Sequence, residues 1–412
     1  MSTYLLLLFV IVFLLGFQFF YRKRYTLPAD WYLIVSCFLI LGGVFFAYPD
    51  NQWEWIGLFW WLGTAVLCMV GSCLGESIVK KKILVVPKLS NSQFVGIKSF
   101  FERCRFFKYI NYKSVFGLYF ILAVLHVLLL LYNHGVRLDD FESFSDFIKI
   151  NSIMQYRYGL EKVTENMFQQ ILLCFIYAIP LCGGTIFVHA KKKIDVLLAF
   201  SSLIPVLFLT LVTNTKAPII IVIISIISSY LVEYTRMHKQ EFKINIKTVA
   251  VLLLVFFIFL ALVFFTFMLR YNYFSDIEQM KFIVHRIIDY AFGGVMNFDH
   301  FFSEFKSMDL SLDHYYCPDS NILSGNGFWI GRYGYIITTL IWCMTGIVSG
   351  IAYCRIKEGT GNLLDILLLL YAYLSSVYFF IYLPFSYTTV VIGFFVLFPA
   401  WWILFNYRYI DE

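Results

Sequence analysis

The chain has 412 residues, of which 60% are hydrophobic, 20% aromatic and only 14% charged. A soluble fold of this length cannot keep so much apolar surface away from water, so the composition predicts that the bilayer is its solvent. The net charge of +6 does not indicate a nucleic-acid partner, because the basic residues lie between apolar segments and form no basic domain. The sequence therefore predicts an all-α, polytopic integral membrane protein.

Eleven segments are long and apolar enough to be membrane-spanning helices, which need about 20 mostly apolar residues. The first has no basic segment before it and no small-residue cleavage site after it, so we expect it to be retained as a span. Together the spans form one membrane domain over residues 1–412. In chain order the predicted spans are 4–20, 31–47, 55–73, 114–132, 167–188, 196–213, 217–233, 248–268, 334–353, 363–381 and 388–406.

The distribution of Lys and Arg between these spans predicts the orientation. With the N-terminus outside, 22 of the 32 Lys and Arg residues fall on the cytoplasmic side, as expected because the cytoplasmic side retains positive charge. The C-terminus is then cytoplasmic, and 74–113 becomes a basic cytoplasmic loop in contact with anionic lipid. Two large loops, 133–166 and 269–333, lie on the outer side.

Ten basic residues lie on the outer side against this bias, and they are candidates for binding an anion. Each of them either reaches lipid phosphate or lines a cavity for an anion, and for a single residue both explanations stay open. Several converging cations would favour a diphosphate, which Arg binds through a rigid fork and Lys as a point charge. The ten are Arg137, Lys149, Arg157, Lys162, Lys216, Arg270, Lys281, Arg286, Lys306 and Arg332.

Residues 277–291 have helical periodicity, with an apolar side and a polar side on which Lys281, His285 and Asp289 follow one another every four residues. We expect an amphipathic helix along the outer membrane surface that ends at the glycine pair 293–294. The helix either covers a cleft or is simply interfacial, with a solvated His285.

Titratable residues of the outer loops are candidates for acid–base chemistry. Asp299 and His300 lie among aromatic residues, a mixture typical of sugar sites, and His300 or His314 is a candidate general base for a sugar hydroxyl. A histidine in a loop is more often just polar, so both interpretations stay open. The acidic cluster 139–142 either holds a divalent cation or is solvated.

Several sequence motifs that would indicate other chemistry are absent. The chain contains no phosphate-binding Gly-Lys-Ser/Thr loop, no His-Glu-x-x-His and no long soluble segment. ATP hydrolysis and zinc chemistry therefore have no support, and we expect no cofactor. The energy for the reaction must come from a gradient or from the substrate itself.

The chain resembles the Wzy-type oligosaccharide repeat-unit polymerases of bacterial O-antigen. The resemblance rests on the topology with two large outer loops, on Arg270 at the end of the helix that opens the second loop, and on the stretch 290–301. That stretch is similar to the family's tyrosine, paired-glycine, Phe-Asp-x-Phe theme, and the run that begins at Asn321 resembles its asparagine-to-glycine run. Two positions depart from the pattern: Lys216 stands where relatives show an arginine, and Arg332 stands where an acidic residue is common.

The resemblance implies a helical glycosyltransferase of the C type in the bacterial inner membrane, with both large loops in the periplasm. The growing glycan would be transferred from undecaprenyl diphosphate to a sugar hydroxyl of an incoming lipid-linked repeat unit, without metal or nucleotide sugar. The expected partners are undecaprenyl-diphosphate-linked oligosaccharides, membrane lipids, and a flippase and a chain-length regulator of the same pathway. The residues predicted to be catalytic are Arg270, Arg286, Asp299 and His300. Those predicted to bind substrate are Arg137, Arg157, Lys216, Tyr290, His314, Asn321 and Arg332.

Three other classes of protein share part of this pattern. An O-antigen ligase or another lipid-linked glycosyltransferase has the same topology and differs in its acceptor. A flippase would have short loops and charges inside its spans, whereas here 269–333 is long and the spans are nearly free of charge. A scaffold protein would tolerate replacement of the outer cations. The sequence favours polymerisation.

Overall fold

The computed structural model is helical, with no strand among the residues it describes. These residues are 2–22, 26–50, 52–81, 111–137, 140, 143, 146, 148–151, 154, 166–213, 215–240, 257, 260–269, 277–303 and 324–409. The helices are α1 (Ser2–Gly16), α2 (Pro28–Leu41), α3 (Ile56–Lys80), α4 (Tyr112–Asn133), α5 (Met167–His189), α6 (Lys193–Ser201), α7 (Ile204–Thr213), α8 (Ala217–His238), α9 (Leu260–Leu269), α10 (Ile277–His300), α11 (Gly325–Lys357), α12 (Leu363–Tyr378), α13 (Thr388–Ile392) and α14 (Phe398–Tyr409).

Eight helical segments of the described chain are long and apolar enough to cross a membrane: Pro28–Ala47, Ile56–Lys80, Tyr112–Asn133, Met167–His189, Lys193–Thr213, Ala217–His238, Gly325–Lys357 and Thr388–Tyr407. Three shorter apolar helices accompany them: Thr3–Phe19, Leu260–Leu269 and Leu363–Tyr378. Each of these segments overlaps one of the predicted spans. The prediction of an all-helical membrane protein is confirmed, whereas the number of crossings stays a prediction.

Polar side chains cap several helices where the first backbone N–H groups have no partner within the helix. The side chain of Asn166 accepts a hydrogen bond from the N–H of Gln169 at the start of α5. Asn362 and Asp365 cap α12 reciprocally, each side chain accepting from the backbone N–H of the other. Because hydrocarbon offers no donors or acceptors, such caps fix where these apolar helices begin.

The chain divides into two compact units. The first consists of Met1–Val85, His238–Phe257 and Ile277–Ser386, and so contains α1, α2, α3, α10, α11 and α12. The second consists of Val86–Met237, Ile258–Asp276 and Tyr387–Glu412, and contains the other helices. Each unit draws on distant parts of the sequence.

The core of the first unit contains a group of aromatic rings that pack against one another. The ring of Tyr32 stacks on Trp342 with centroids 4.0 Å apart, and both side chains are fully buried. Trp61 packs edge-on against Phe298 at 4.8 Å and against Phe379 at 5.3 Å. These contacts join α2, α3, α10, α11 and the end of α12, and aromatic pairs in such arrangements contribute about 0.5–1.5 kcal/mol beyond the area they bury.

Helices α3 and α11 pack backbone to backbone through two glycine pairs. A Cβ atom at Gly71 or Gly75 would overlap the carbonyl oxygens of residues 343 and 347, and one at Gly346 or Gly350 would overlap those of residues 68 and 72. Residue numbers rise together along both helices, so the two run parallel. Each helix contributes a G-x-x-x-G motif, which permits such an approach between membrane helices.

Helix α11 is interrupted at Gly334, where φ is +82° and ψ is 171°, a conformation that is essentially restricted to glycine. The Nε1–H of Trp342 donates to Oδ1 of Asn326 over 2.7 Å, although these residues would be about 24 Å apart in one straight helix. The chain therefore reverses direction at Gly334. A short first leg (325–333) folds back along the second leg (335–357), and only the second leg coincides with the predicted span 334–353.

In the second unit, an ionic network joins the ends of α5, α8 and α14. The guanidinium of Arg236 binds both carboxylate oxygens of Glu233, at 2.9 and 2.5 Å, and also donates to Asn406. His189 lies 2.6 Å from the same carboxylate, and Glu233 is only 3% exposed. A buried carboxylate needs such charged partners, because an isolated ion in an apolar interior is very costly.

The predicted end of the amphipathic helix is wrong. The helix begins at residue 277 as predicted but does not end at the glycine pair 293–294; α10 continues to His300. Glycine costs a helix about 1 kcal/mol relative to alanine, whereas burial of one large apolar side chain contributes about 1.5–3 kcal/mol. Val295 and Phe298 beyond the glycines are fully buried in the core of the first unit, so tertiary packing overrides the local preference.

Candidate functional site

Helix α10 consists of an exposed half and a packed half. In the packed half, Phe292 lies against Gly42 in the π-helical segment Gly42–Ala47 that continues α2, and Val295 lies 3.5 Å from the position of a Cβ atom on Gly43. In the exposed half, Lys281 and His285 are exposed, as are the apolar side chains of Phe282 and Val284 between them, whereas Ile283 is buried. The first unit thus holds one half of α10 rigidly and presents the other, which carries the basic residues.

The carboxylate of Asp299 caps α3 from the packed half of α10. Its Oδ2 accepts from the backbone N–H groups of Glu54 at 2.7 Å and Trp55 at 3.1 Å, and its Oδ1 accepts from Leu58 at 3.3 Å. Burial raises the pKa of Asp299, while the three backbone donors lower it, and burial is the larger effect. The capping role is a structural finding, and the predicted catalytic role stays a prediction.

This cap also holds a residue in an unfavourable backbone conformation. Trp55 has a φ of +70°, which is rare for a bulky side chain and costs about 1–3 kcal/mol. The hydrogen bond to Asp299 and the edge-on packing of Tyr4 on the Trp55 ring, at 4.5 Å, hold it there. Asp299 therefore anchors α10, the start of α3 and the preceding turn together.

Asp289 is a second buried carboxylate on α10, in the turns between its two halves. Its side chain is 1% exposed, and its Oδ1 accepts a hydrogen bond from the hydroxyl of Tyr48 over 2.8 Å. The other oxygen, Oδ2, is buried and has no hydrogen-bond partner in the part of the chain that the structure describes. The imidazole of His285, 63% exposed, lies one turn earlier with Nε2 4.0 Å from Oδ1. The structure thus brings together two of the three polar residues that the periodicity predicts on one side of this helix.

Arg286 and Tyr290 lie one turn apart on α10, and both are half-buried. The Arg286 guanidinium lies over the ring of Phe282, with Cζ 5.1 Å from the ring centroid. This is a favourable cation–π geometry, and the contact with the ring orients the guanidinium group. Because residues four apart share a helix face, the structure places the predicted catalytic Arg286 and the predicted substrate-binding Tyr290 on the same side of α10.

Arg332 lies at the tip of the α11 hairpin and is exposed, with its guanidinium 5.8 Å from the centroid of the Tyr333 ring. Close to this tip, the hydroxyl of Tyr335 donates to the backbone carbonyl of Phe302, just after α10. The end of α10 and the hairpin tip therefore belong to the same side of the first unit. His300, the last residue of α10, is exposed and lies edge-on to the ring of Phe301 at 4.7 Å.

Two of the predicted site residues that the structure describes lie in the second unit. Lys216 is half-buried just before α8, with its ammonium nitrogen 4.0 Å from the centroid of the Phe267 ring on α9. Arg137 is exposed, and its backbone N–H donates to Asp140 over 2.7 Å. Both stay predictions as substrate-binding residues.

Four predicted site residues lie outside the described part of the chain: Arg157, Arg270, His314 and Asn321. Of the acidic cluster 139–142, only Asp140 lies within it. Among the described residues, no group of three or more His, Cys, Asp or Glu side chains is placed to hold a metal ion.

The sequence does not predict the hydrogen-bond network around Asn326. Asn326 is fully buried; its Oδ1 accepts from Trp342, and its Nδ2 donates over 3.2 Å to the hydroxyl of Tyr32, which in turn lies 3.1 Å from the hydroxyl of Thr64. The backbone N–H of Gly325 donates to the carbonyl of Phe379. Because these partners satisfy the polar groups, the network fixes the hairpin leg in the core. In the sequence, the paired G-x-x-x-G motifs are the feature that indicates the close packing of α3 and α11.

Comparison with known proteins adds no relative. No family model, no curated protein and no solved structure matches the chain.

Proposed function

We propose that this protein polymerises undecaprenyl-diphosphate-linked oligosaccharide repeat units into surface polysaccharide at the periplasmic face of the bacterial inner membrane. The growing glycan passes from its lipid diphosphate to a sugar hydroxyl of the incoming repeat unit. The observation that carries the proposal is α10, whose packed half is anchored by Asp299 while its other half carries the exposed Lys281 and His285 and the half-buried Arg286.

The chemistry of the donor fits this arrangement. The leaving group is a lipid diphosphate, so negative charge develops next to the membrane during the transfer. Positioned cations stabilise such charge strongly, and removing one donor of this kind typically lowers a rate by about 10²–10³. Arg286 supplies a forked donor held in orientation by Phe282. Arg270 and Lys216 are further candidates from the sequence, and Arg332 adds a cation at the hairpin tip of the same unit as Arg286.

Anchoring matters because catalysis by fixed charges requires that they do not move as the charge develops. Asp299 ties α10 to the start of α3, and Phe292, Val295 and Phe298 pack into the core of the first unit. Arg286 thus stands on a rigid helix, two turns before the residues that hold the helix in place. A helix lying loosely in the headgroup layer would carry the same charges but would not hold them in fixed positions.

The test uses purified full-length protein in liposomes, supplied with undecaprenyl-diphosphate-linked repeat units from a host strain in which the gene is deleted. We expect a ladder of longer lipid-linked glycans, formed in the presence of a chelator and without nucleotide. Units that stay single in every condition would overturn the proposal. Transfer to a lipid acceptor other than a repeat unit would identify a ligase, and a requirement for a divalent cation would direct attention to the cluster 139–142.

A further inference from the structure

The packing of α10 alone does not explain why residue 289 carries a buried carboxylate. It is fully buried, yet among the described residues only the neutral hydroxyl of Tyr48 donates a hydrogen bond to its Oδ1, and none donates to Oδ2. A carboxylate that loses its hydration without a compensating charge is strongly disfavoured, and an apolar residue would fill the same space without this cost. Asp299, three turns later on the same helix, shows the contrast, with three backbone donors around its carboxylate.

The group placed to compensate Asp289 is the imidazole of His285. Its Nε2 is 4.0 Å from Oδ1 of Asp289, and the rest of the ring faces outward, since the side chain is 63% exposed. This distance is longer than a hydrogen bond, but catalytic hydrogen bonds are often long in the absence of substrate. A carboxylate behind an imidazole orients the ring and stabilises the imidazolium that forms when the ring accepts a proton.

We propose, as a deepening of the function proposed above and resting on it, that His285 is the general base of the transfer and Asp289 its positioning residue. The hydroxyl oxygen of the incoming sugar forms a bond to the anomeric carbon of the growing glycan. The bond from that carbon to the diphosphate oxygen breaks, and its electron pair leaves with the diphosphate. The hydroxyl proton passes to the imidazole of His285, whose positive charge then pairs with Asp289.

The surrounding charges are consistent with a base next to an anion site. On α10, Lys281 lies one turn before His285 on the same face, and Arg286 is the next residue along the chain. On the segment that packs against Asp289 through Tyr48, Asp50 follows two residues later and is exposed. The proposed proton acceptor therefore neighbours Arg286 along α10, the described residue of this helix proposed to hold the leaving diphosphate.

The experiment measures the rate of glycan extension in the liposome assay from pH 5 to pH 9 for the wild type and its variants. His285→Gln should lose about 10²–10⁴ in rate, the typical contribution of a general base. Asp289→Asn should lose roughly tenfold or more and should also move the acid limb of the pH profile to lower pH, because the imidazolium loses its partner. Free imidazole should restore part of the activity of His285→Ala.

Two controls separate this role from a structural one. His238→Gln removes an exposed imidazole at the end of α8 and should keep the wild-type rate. Asp50→Asn removes an exposed carboxylate from the segment that carries Tyr48 and leaves Asp289 and its hydrogen bond in place, so its pH profile should follow the wild type. Two results would overturn this assignment but leave the proposed function in place. One is extension at the wild-type rate by His285→Gln, and the other is an unmoved acid limb in a folded Asp289→Asn. A wild type that makes no polymer would overturn the proposed function and this assignment with it.

Discussion

Gly346 of α11 lies against the backbone of Cys68 in α3, so closely that a Cβ atom at Gly346 would overlap the carbonyl oxygen of Cys68. A larger residue there must separate the helices, because the obstructing atom is backbone. We expect Gly346→Val to lower the unfolding free energy by about 1–3 kcal/mol, the usual cost of overpacking. The melting temperature in detergent measures it. Gly63→Ala, on α3 with nothing within 4 Å of the new Cβ, is the matched control and should not destabilise the protein.

Replacing Asn326 by leucine should destabilise the first unit by on the order of 2 kcal/mol, since it leaves the Nε1–H of Trp342 buried without its acceptor. Trp342→Phe removes the donor and keeps most of the ring. Because the two residues share one hydrogen bond, the double variant should be less destabilised than the sum of the single variants. Strict additivity of the melting-temperature changes would contradict the importance of this bond.

The pH dependence of stability tests the environment of Asp299. Its pKa is raised by burial, so the folded protein binds this proton more tightly than the unfolded chain does. The stabilisation from protonation is fully present below the ordinary pKa of a carboxyl group and is lost as the pH rises through the raised pKa. The melting temperature of the wild type minus that of Asp299→Asn should therefore be largest near pH 4 and smaller at pH 7. A difference that is constant or grows with pH would contradict this assignment.

Arg286→Ala and Arg286→Lys should each leave single repeat units in place of long chains, while the protein still reaches the membrane. Lysine keeps the charge but loses the fork that binds two phosphoryl oxygens. We expect the same of Arg270→Ala and Arg270→Lys, and the length of the cellular glycan on a gel measures the effect. Lys81→Gln, an exposed cation at the end of α3, serves as control. Wild-type chain lengths in both alanine variants, at normal expression, would show that these arginines only anchor the protein in the interface.

The orientation predicts where reporter fusions are exported. Fusions after Asp140 and after Asp309 should show periplasmic activity, because the basic residues concentrate on the other side of the spans. A fusion after Lys81, in the predicted cytoplasmic loop, should show cytoplasmic activity. Cytoplasmic activity at both outer positions would reverse the orientation and remove the basis of the proposed chemistry.

Hydropathy located the apolar helices, because each is long enough to register over a window of residues. For the first leg of α11, residues 325–333, the sequence predicts a loop, since this segment is short and mixes glycine, asparagine and arginine with aromatic residues. Tertiary contacts alone place it: Asn326 meets Tyr32, nearly 300 positions away. In the same way, the sequence contains the four-residue spacing of Lys281, His285 and Asp289, but it does not predict that Asp289 is buried against Tyr48.

The parallel packing of α3 and the second leg of α11 constrains the chain between them by parity. Two helices that cross a membrane in the same direction must be separated by an odd number of crossings, whichever side is the cytoplasm. Between them the described chain has four segments long enough to cross and the short apolar helix Leu260–Leu269. We therefore expect that this short helix belongs to the fifth crossing, where the sequence predicts the span 248–268. A deletion of that span alone would reverse α11 relative to α3 and abolish their glycine contacts.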